Sequence, residues 1–415
     1  MYINRPLYLQ KINKALELLP IVVLIGARQV GKTTIMEHVE YVGKKLFLNG
    51  QNPEIIVLFE EYSTIKRYLQ INLNENIEGI LFIDEFQFIP GVSALLKLLV
   101  DENKNLKIIC SGSSSIDILQ TVEESLAGRI RVIPVYSFSF EEYIDSCNID
   151  LSHKYKQYNI ADEAKVIDKS IFSLLKEYLL YGGLPRISLS LTYGDKMELL
   201  HDLYQTYLLK DVRAYVKNED FVGFNKLLQL LAAQIGNLVN INELSVSSRL
   251  PYKKCDEYIH LLEHMYIIKL LNPFVSNKRT EITQMKKVYF YDLGMRNRIY
   301  DSFNDIDIRV DKGAIFENFV FLELLKNTPS YFDYYFYRTK DKMEVDFIIN
   351  TQKEIIPIEV KFVENIQKSD QRSLKIFAEE NNCPRPYTIS LQEYKKTNSV
   401  LNIPAYFIGK WAGGL

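Results

Sequence analysis

The sequence predicts an α/β chain: a doubly wound parallel sheet in its first third, a mainly helical middle, and a second α/β region toward the C-terminal end. Three observations predict it. Apolar runs at 21–25 and 80–83, and a third at 106–110 broken only by Lys107, alternate with helix-compatible stretches up to about residue 145, as strands buried on both faces of a sheet do. Apolar residues then recur at helical spacing in Ile171-Phe172, Leu174-Leu175, Tyr178-Leu179 and again in Leu199-Leu200, Leu203-Tyr204, Tyr207-Leu208, on either side of a Gly182-Gly183 break. Finally, residues 344–349 and 355–361 read as two strands joined by the turn-forming Asn350-Thr351-Gln352-Lys353, a hairpin.

Between the first strand and the first helix stands Gly26-Ala27-Arg28-Gln29-Val30-Gly31-Lys32-Thr33, with Thr34 continuing into the helix. The spacing G-x-x-x-x-G-K-[ST] lets successive backbone N–H groups point inward at a polyphosphate. Lys32 is then expected to reach the β- and γ-phosphates, and Thr33 to offer its hydroxyl to Mg²⁺. The helix N-terminus that follows favours anions. The second apolar run ends in Asp84-Glu85. Asp84 is expected to hold Mg²⁺ in the shell shared with Thr33, and Glu85 to polarise the attacking water as general base. Capping of the next helix is the plainer reading of these two acids. Glu85 favours hydrolysis over phosphate transfer to a bound substrate.

The third run leads into Ser111-Gly112-Ser113-Ser114-Ser115 at the carboxyl edge of the sheet, where open α/β sheets bind ligands. Ser111 or Ser113 is the candidate to orient the catalytic water, against an ordinary Ser/Gly turn. Arg129, after Leu126-Ala127-Gly128, is a candidate to stabilise transition-state charge from its own or a neighbouring subunit, against a merely solvated arginine.

Together these residues resemble an additional-strand P-loop ATPase of the AAA type, whose members pair G-x-R-Q-V-G-K-T with I-D-E-x-Q. Gln87 completes the second motif here. The stretch Leu126 to Arg129, the run Ser137-Phe138-Ser139-Phe140-Glu141-Glu142-Tyr143 and Gly182-Gly183-Leu184-Pro185 also fit that family's pattern. The resemblance covers nearly the whole chain, because such proteins carry a C-terminal region of unknown function. It implies ATP and Mg²⁺ as cofactors, ATP hydrolysis, nucleotide contacts from Gly26 to Thr34 and from Ser113, and a helical lid. Assembly into a homo-oligomer is compatible with it.

Composition bounds the rest. At 415 residues the chain is too long for one core, and the expected segments are the P-loop ATPase core at 1–148, its connector and helical lid at 149–218, and two further segments at 219–275 and 276–415. A formal net charge of −2 gives no overall pull toward nucleic acid or membrane, so any basic surface must be local. Cys110, Cys147, Cys255 and Cys383 lie far apart with no C-x-x-C, which suggests reduced thiols in a cytoplasmic setting. No leader sequence is visible and no apolar run reaches membrane-spanning length.

The segment 221–274 has the order of a winged helix-turn-helix: a helix over 225–236, a short second helix after Val239 to Leu244, the turn Arg249-Leu250-Pro251, a third helix over 252–265 and a strand over 266–271. Tyr252, Lys253 and Lys254 begin the third helix, which can enter a major groove of double-stranded DNA. Lys278, Arg279, Lys286, Lys287, Arg296 and Arg298 are expected to meet phosphates near the wing. A plain interdomain connector is the alternative. Within the third helix, His260, Glu263 and His264 spell an inverted zinc-peptidase signature. The helix's core spacing and the lack of a distinct third ligand argue for packed or solvated histidines instead.

The C-terminal hairpin carries the second constellation. Period-two geometry places Glu359 and Lys361 on one face, within reach of Asp346 on the neighbouring strand, and a helix over 313–323 can aim Glu317 at the same spot. The set resembles the PD-(D/E)XK nuclease core, although Val345 stands where the family name has Pro. That resemblance implies Asp346, Glu359 and Glu317 as ligands of one or two Mg²⁺ ions, with Lys361 activating water. A cross-strand salt-bridge ladder would give the same pattern, and degenerate relatives bind without cutting. Two functions follow: a DNA-associated ATPase with a nuclease-like module, or a nucleotide-dependent switch or scaffold that recruits a protein partner.

Overall fold

The computed structural model describes residues 2–112, 126–160, 169–208, 212, 213, 215–275, 285–396 and 399–415. They form two compact bodies. One is Tyr2–Tyr136 with His264–Tyr266; the other is Ser137–Glu263 with Ile267–Leu415.

The first body opens with helix α1 (Pro6–Leu18) and is built on five parallel strands: β1 (Ile21–Ile25), β2 (Lys45–Asn49), β3 (Gly79–Asp84), β4 (Leu106–Gly112) and β5 (Ile130–Pro134). Their order is β2-β3-β4-β1-β5. Strand β4 is thus inserted between the strand that leads into the phosphate loop and the strand that ends in acids, the extra strand the resemblance implies. All five residues of β1 are buried, which is why its sequence shows no alternation. Helix α2 (Lys32–Glu37) follows the loop, and α3 (Pro53–Leu58), α4 (Tyr62–Asn72) and α5 (Val92–Glu102) complete the crossovers. Ile65, Leu69, Leu96 and Leu99, one helical turn apart in pairs, pack with Val23, Leu81 and Ile108 in one apolar core.

The second body centres on an eight-stranded mixed sheet of order β12-β13-β11-β10-β9-β8-β6-β7. Its strands are β6 (Ile268–Pro273), β7 (Lys287–Phe290), β8 (Asp333–Arg338), β9 (Glu344–Asn350), β10 (Ile355–Lys361), β11 (Tyr387–Ser390), β12 (Lys395–Lys396) and β13 (Leu401–Pro404). The expected hairpin forms: β9 and β10 pair antiparallel, with Ile355 opposite Asn350 and Ile358 opposite Phe347. Helix Lys312–Asn327 is buried along most of its length. Helices Phe221–Ala233, Ile241–Ser248 and Tyr252–His264 precede the β6–β7 hairpin, in the order expected from the sequence.

The division differs from the four segments read from sequence, for a hydrogen-bonding reason. Strand β6 pairs in parallel with β8, Asn272 opposite Tyr335 and Pro273 opposite Phe336, so the three-helix segment and the C-terminal sheet are continuous. The first boundary falls at Tyr136 rather than at 148 because helix Phe140–Cys147 belongs to the second body. Ser139 and Glu142 close a capping box at its start, and the Phe140 amide donates to Glu323 at 3.0 Å. The Gly182-Gly183 break has a similar origin: a Cβ on Gly182 would lie 2.3 Å from Asp292, whose Oδ2 accepts from the Gly183 amide at 3.0 Å. The four cysteines are free thiols. Among the described residues no helix is long and apolar enough to cross a membrane.

Burial leaves a pH signature. Glu323, 1 % exposed, has its pKa raised from 4.5 to about 7 by desolvation, against the opposing pull of Lys326. Because the folded-state pKa is raised, the group's contribution to stability is fullest below pH 4.5 and is lost as pH rises toward 7. Glu323→Gln removes that loss, so its stability should gain on wild type progressively between pH 4.5 and 7, by up to about 3 kcal/mol. Parallel melting curves at pH 5 and pH 7.5 measure it; a difference that does not change with pH would refute the titration.

Candidate nucleotide and C-terminal sites

The phosphate loop has the backbone its glycines predict. Gly26 has φ 150°, and a Cβ there would lie 2.2 Å from the Val135 carbonyl oxygen, so the close approach of β1 and β5 demands glycine. Gly31, at φ 93°, ends the loop in the left-handed region as the N-cap of α2. Lys32 is buried, and its ammonium donates to the carbonyls of Gly26 (2.9 Å) and Ala27 (2.8 Å), bracing the loop around the volume a phosphate would enter. Burial pulls its pKa down to about 8 against the attraction of Glu85 and Asp84. A polyphosphate arriving there meets a cation that lacks full solvation. Ala27, Arg28 and Gln29 form the exposed or half-buried rim, Val30 is buried beneath it, and Thr34 is exposed on α2.

The acids come to the same edge. Thr33 Oγ1 donates to Asp84 Oδ2 at 2.8 Å, joining the loop to the tip of β3. Ser111, fully buried at the end of β4, donates to the other Asp84 oxygen, and the Glu85 amide donates to Ser111 Oγ at 3.4 Å. Of the two serines proposed as water-orienting, Ser111 is thus placed beside the acids; Ser113 lies outside the described residues. Glu85 has φ 51°, a left-handed conformation uncommon for a residue with a Cβ, and Gln87 Nε2 donates to its Oε2 at 2.6 Å. The I-D-E-x-Q spacing therefore has a physical content: the amide of Gln87 steadies the carboxylate of Glu85.

Arg129 is elsewhere. It immediately precedes β5, and its carbonyl accepts from the Ile21 amide at the start of β1, the end of the sheet opposite the phosphate loop. Its guanidinium forms a two-pronged ion pair with Asp101 at 2.8 and 3.0 Å. Strand length alone separates it from the loop, so it does not serve nucleotide held by its own subunit. A different arginine, which sequence reasoning missed, supports the loop. Arg5 is 3 % exposed; its guanidinium donates to Val30 O at 2.9 Å and to Tyr136 O at 3.0 Å, and lies 4.3 Å from the centre of the Tyr8 ring. Its place just before α1 gave no local signal, since the contact links residues 25 apart.

In the second body, helix Lys312–Asn327 and strands β7, β9 and β10 bring Lys287, Tyr289, Glu317, Glu344, Asp346, Glu359 and Lys361 into one electrostatically connected group. Asp346 Oδ2 accepts from the Val360 amide at 2.7 Å, and Lys361 Nζ is 2.5 Å from Glu359 Oε1. The other Glu359 oxygen is buried without a partner. Desolvation, then the nearby Asp346, raises the Glu359 pKa to about 9. Desolvation likewise raises Glu317 to about 7, opposed chiefly by Lys287. Lys287 was read as a surface base and is 2 % exposed. Burial works to lower its pKa, but Glu317, Asp346 and Glu344 outweigh that and raise it. The expected three-ligand set corrects accordingly: among the described residues no three His, Cys, Asp or Glu side chains are grouped to hold a metal ion, and Glu317 is instead ion-paired to Lys287 at 3.0 Å.

Of the other basic residues assigned to a wing, Lys286 is half-buried and the two arginines that follow are paired with acids. Arg296 is fully buried and paired with Asp311 at 2.6 Å, and Arg298 is paired with Asp301 at 2.7 Å; Lys278 and Arg279 lie outside the described residues. Tyr252 and Lys253 stay exposed at the start of their helix, while Lys254 pairs with Glu257 at 2.9 Å. Glu263 of the zinc-like signature is paired with Lys269 at 3.0 Å.

Three family models match the chain. Residues 19–144 match the AAA domain, and residues 172–305 and 312–406 match two domains of unknown function, DUF8612 and DUF4143. An uncharacterised protein of Haemophilus influenzae is 26% identical over 390 residues, 89% of this chain and 89% of that protein. One from Methanocaldococcus jannaschii is 28% identical over 367 residues, 84% of this chain and 77% of that protein. A solved structure, the Walker-type ATPase of Pyrococcus abyssi, matches with a TM-score of 0.49 at 17% identity, covering 72% of this chain and 96% of that one. Over residues 19–144 this chain is similar to AAA-type ATPases.

Proposed function

We propose that this protein is a Mg²⁺-dependent ATPase whose turnover is coupled to double-stranded DNA through its C-terminal body. One observation carries the ATPase half: Thr33 Oγ1 and Asp84 Oδ2 are 2.8 Å apart beside a loop braced by a buried lysine. Two hard oxygen ligands at that spacing suit Mg²⁺, which completes its shell with water and phosphate oxygens. When bound, the ion would neutralise charge developing on the β- and γ-phosphates. The chain's own residues do the rest. The loop amides and Lys32 hold the triphosphate, Glu85 takes a proton from the attacking water, and Ser111 fixes the Asp84 carboxylate.

The C-terminal group supports a metal-dependent, nuclease-like site. Its fit rests on the buried, unpartnered oxygen of Glu359 beside Asp346, with Lys361 placed to offset phosphate charge. The exposed Tyr252 and Lys253 offer the DNA contact. Steady-state ATP hydrolysis with and without duplex DNA, across a salt series, tests the coupling. Stimulation that fades as salt rises is expected. Turnover indifferent to DNA at every salt concentration would refute it. The burial of Lys287 and Arg296, which removes two bases from the surface, favours the second reading, a nucleotide-dependent switch whose C-terminal body recruits a protein. That reading gains if Asp346→Ala and Lys361→Ala leave all activities unchanged.

A further inference from the structure

The C-terminal group holds four carboxylates, Glu317, Glu344, Asp346 and Glu359, on three elements. They are not equivalent. Lys287 Nζ lies 3.0 Å from Glu317 Oε1 and 2.6 Å from Glu344 Oε1, and Tyr289 donates to the same Glu317 oxygen at 2.5 Å. Arg338 holds the other Glu344 oxygen at 3.2 Å. Asp346 and Glu359 are not held by Lys287 in this way: Lys361 takes Glu359 Oε1 at 2.5 Å and the Val360 amide takes Asp346 Oδ2 at 2.7 Å, which leaves the other Glu359 oxygen buried with no partner. A compact ammonium between two carboxylates does the electrostatic work of a metal ion there, and the acids around it offset the cost of burying it.

We propose that Lys287 is a working member of this site: its ammonium stands where a second cation would, keeps Glu317 and Glu344 out of the metal shell, and so limits the site to one divalent cation, held by Asp346 and Glu359. This rests on the metal-dependent reading of the C-terminal group. Two carboxylates leave most of the shell to water and to phosphate oxygens, the arrangement Mg²⁺ favours. It also explains why the helix acid, predicted as a ligand from sequence, is turned to a lysine contributed by β7. Lys287 is thereby a positioning residue that sets metal stoichiometry.

The test is titration of the full chain with Mn²⁺ in the absence of nucleotide, following free ion by electron paramagnetic resonance. An Asp84→Asn background removes the nucleotide site from the count. One Mn²⁺ per chain is expected, with binding weakened at least tenfold by Asp346→Asn or Glu359→Gln and by less than threefold by Glu317→Gln. Lys287→Met should admit a second ion, whereas Lys287→Arg should keep one. Melting curves verify that each variant is folded, and should Lys287→Met fail to fold, the Glu317→Gln and Lys287→Arg results decide. Two ions in the unsubstituted site, or a loss in Glu317→Gln equal to that in Asp346→Asn, overturns the role of Lys287 while leaving a metal site in place. No Mn²⁺ uptake at all overturns the metal-dependent reading together with this inference.

Discussion

Lys32→Ala is expected to abolish measurable ATP hydrolysis and to weaken nucleotide binding by about a hundredfold or more, the consequence of removing one partner of a buried charge pair. The size follows from burial. Lys32 is 6 % exposed and so partly stripped of water, and its attraction to phosphate is screened far less than that of a surface lysine. The same atom also braces the carbonyls of Gly26 and Ala27, so the variant loses loop order as well as charge. A melting curve separates the two: the substitution should move the apo melting temperature little, because the loop carbonyls can turn to solvent, but should erase the stabilisation that ATP confers on wild type. Unchanged stabilisation by ATP in Lys32→Ala would show that nucleotide binds elsewhere.

Glu85→Gln is expected to have the second-largest effect, and of a different kind. A glutamine keeps the shape and still accepts a hydrogen bond, but it cannot take a proton from water; loss of a general base costs roughly 10² to 10⁴ in rate. Nucleotide affinity should change little, since Glu85 is not among the groups that cradle phosphate. The left-handed backbone at Glu85 and the 2.6 Å contact from Gln87 hold the side chain in one orientation, so the variant should trap ATP in place. Single-turnover hydrolysis beside equilibrium binding reads both quantities. Normal turnover in Glu85→Gln would remove Glu85 from the chemistry.

The parts of this molecule legible in the sequence were those with short-range signals. The uninterrupted Ile21–Ile25 run identified a strand buried on both faces, and the loop glycines marked positions where backbone, not side chain, must fit. The β9–β10 hairpin followed from a turn between two apolar stretches, and placed Asp346 and Glu359 in neighbouring strands. What escaped depended on tertiary contact. Arg5 looked like any residue preceding a helix, yet it pins Val30 across 25 positions. Lys287 looked solvated because one charge in a four-residue strand carries no periodic information. Its burial depends on the acids that helix Lys312–Asn327 and β9 bring to it. Arg129 was placed by motif, and only the strand direction of β5 shows that it faces the far end of the sheet. The parallel pairing of β6 with β8, which merges two expected domains, joins segments with no sequence cue between them.

The most direct measurement is calorimetric titration of the full chain with a non-hydrolysable ATP analogue in Mg²⁺, beside the Lys32→Ala and Asp84→Asn variants. One analogue per chain in wild type is expected, with binding lost in Lys32→Ala and its Mg²⁺ dependence lost in Asp84→Asn. No heat of binding in wild type, or equal binding by all three proteins, would contradict a triphosphate site between Thr33 and Asp84.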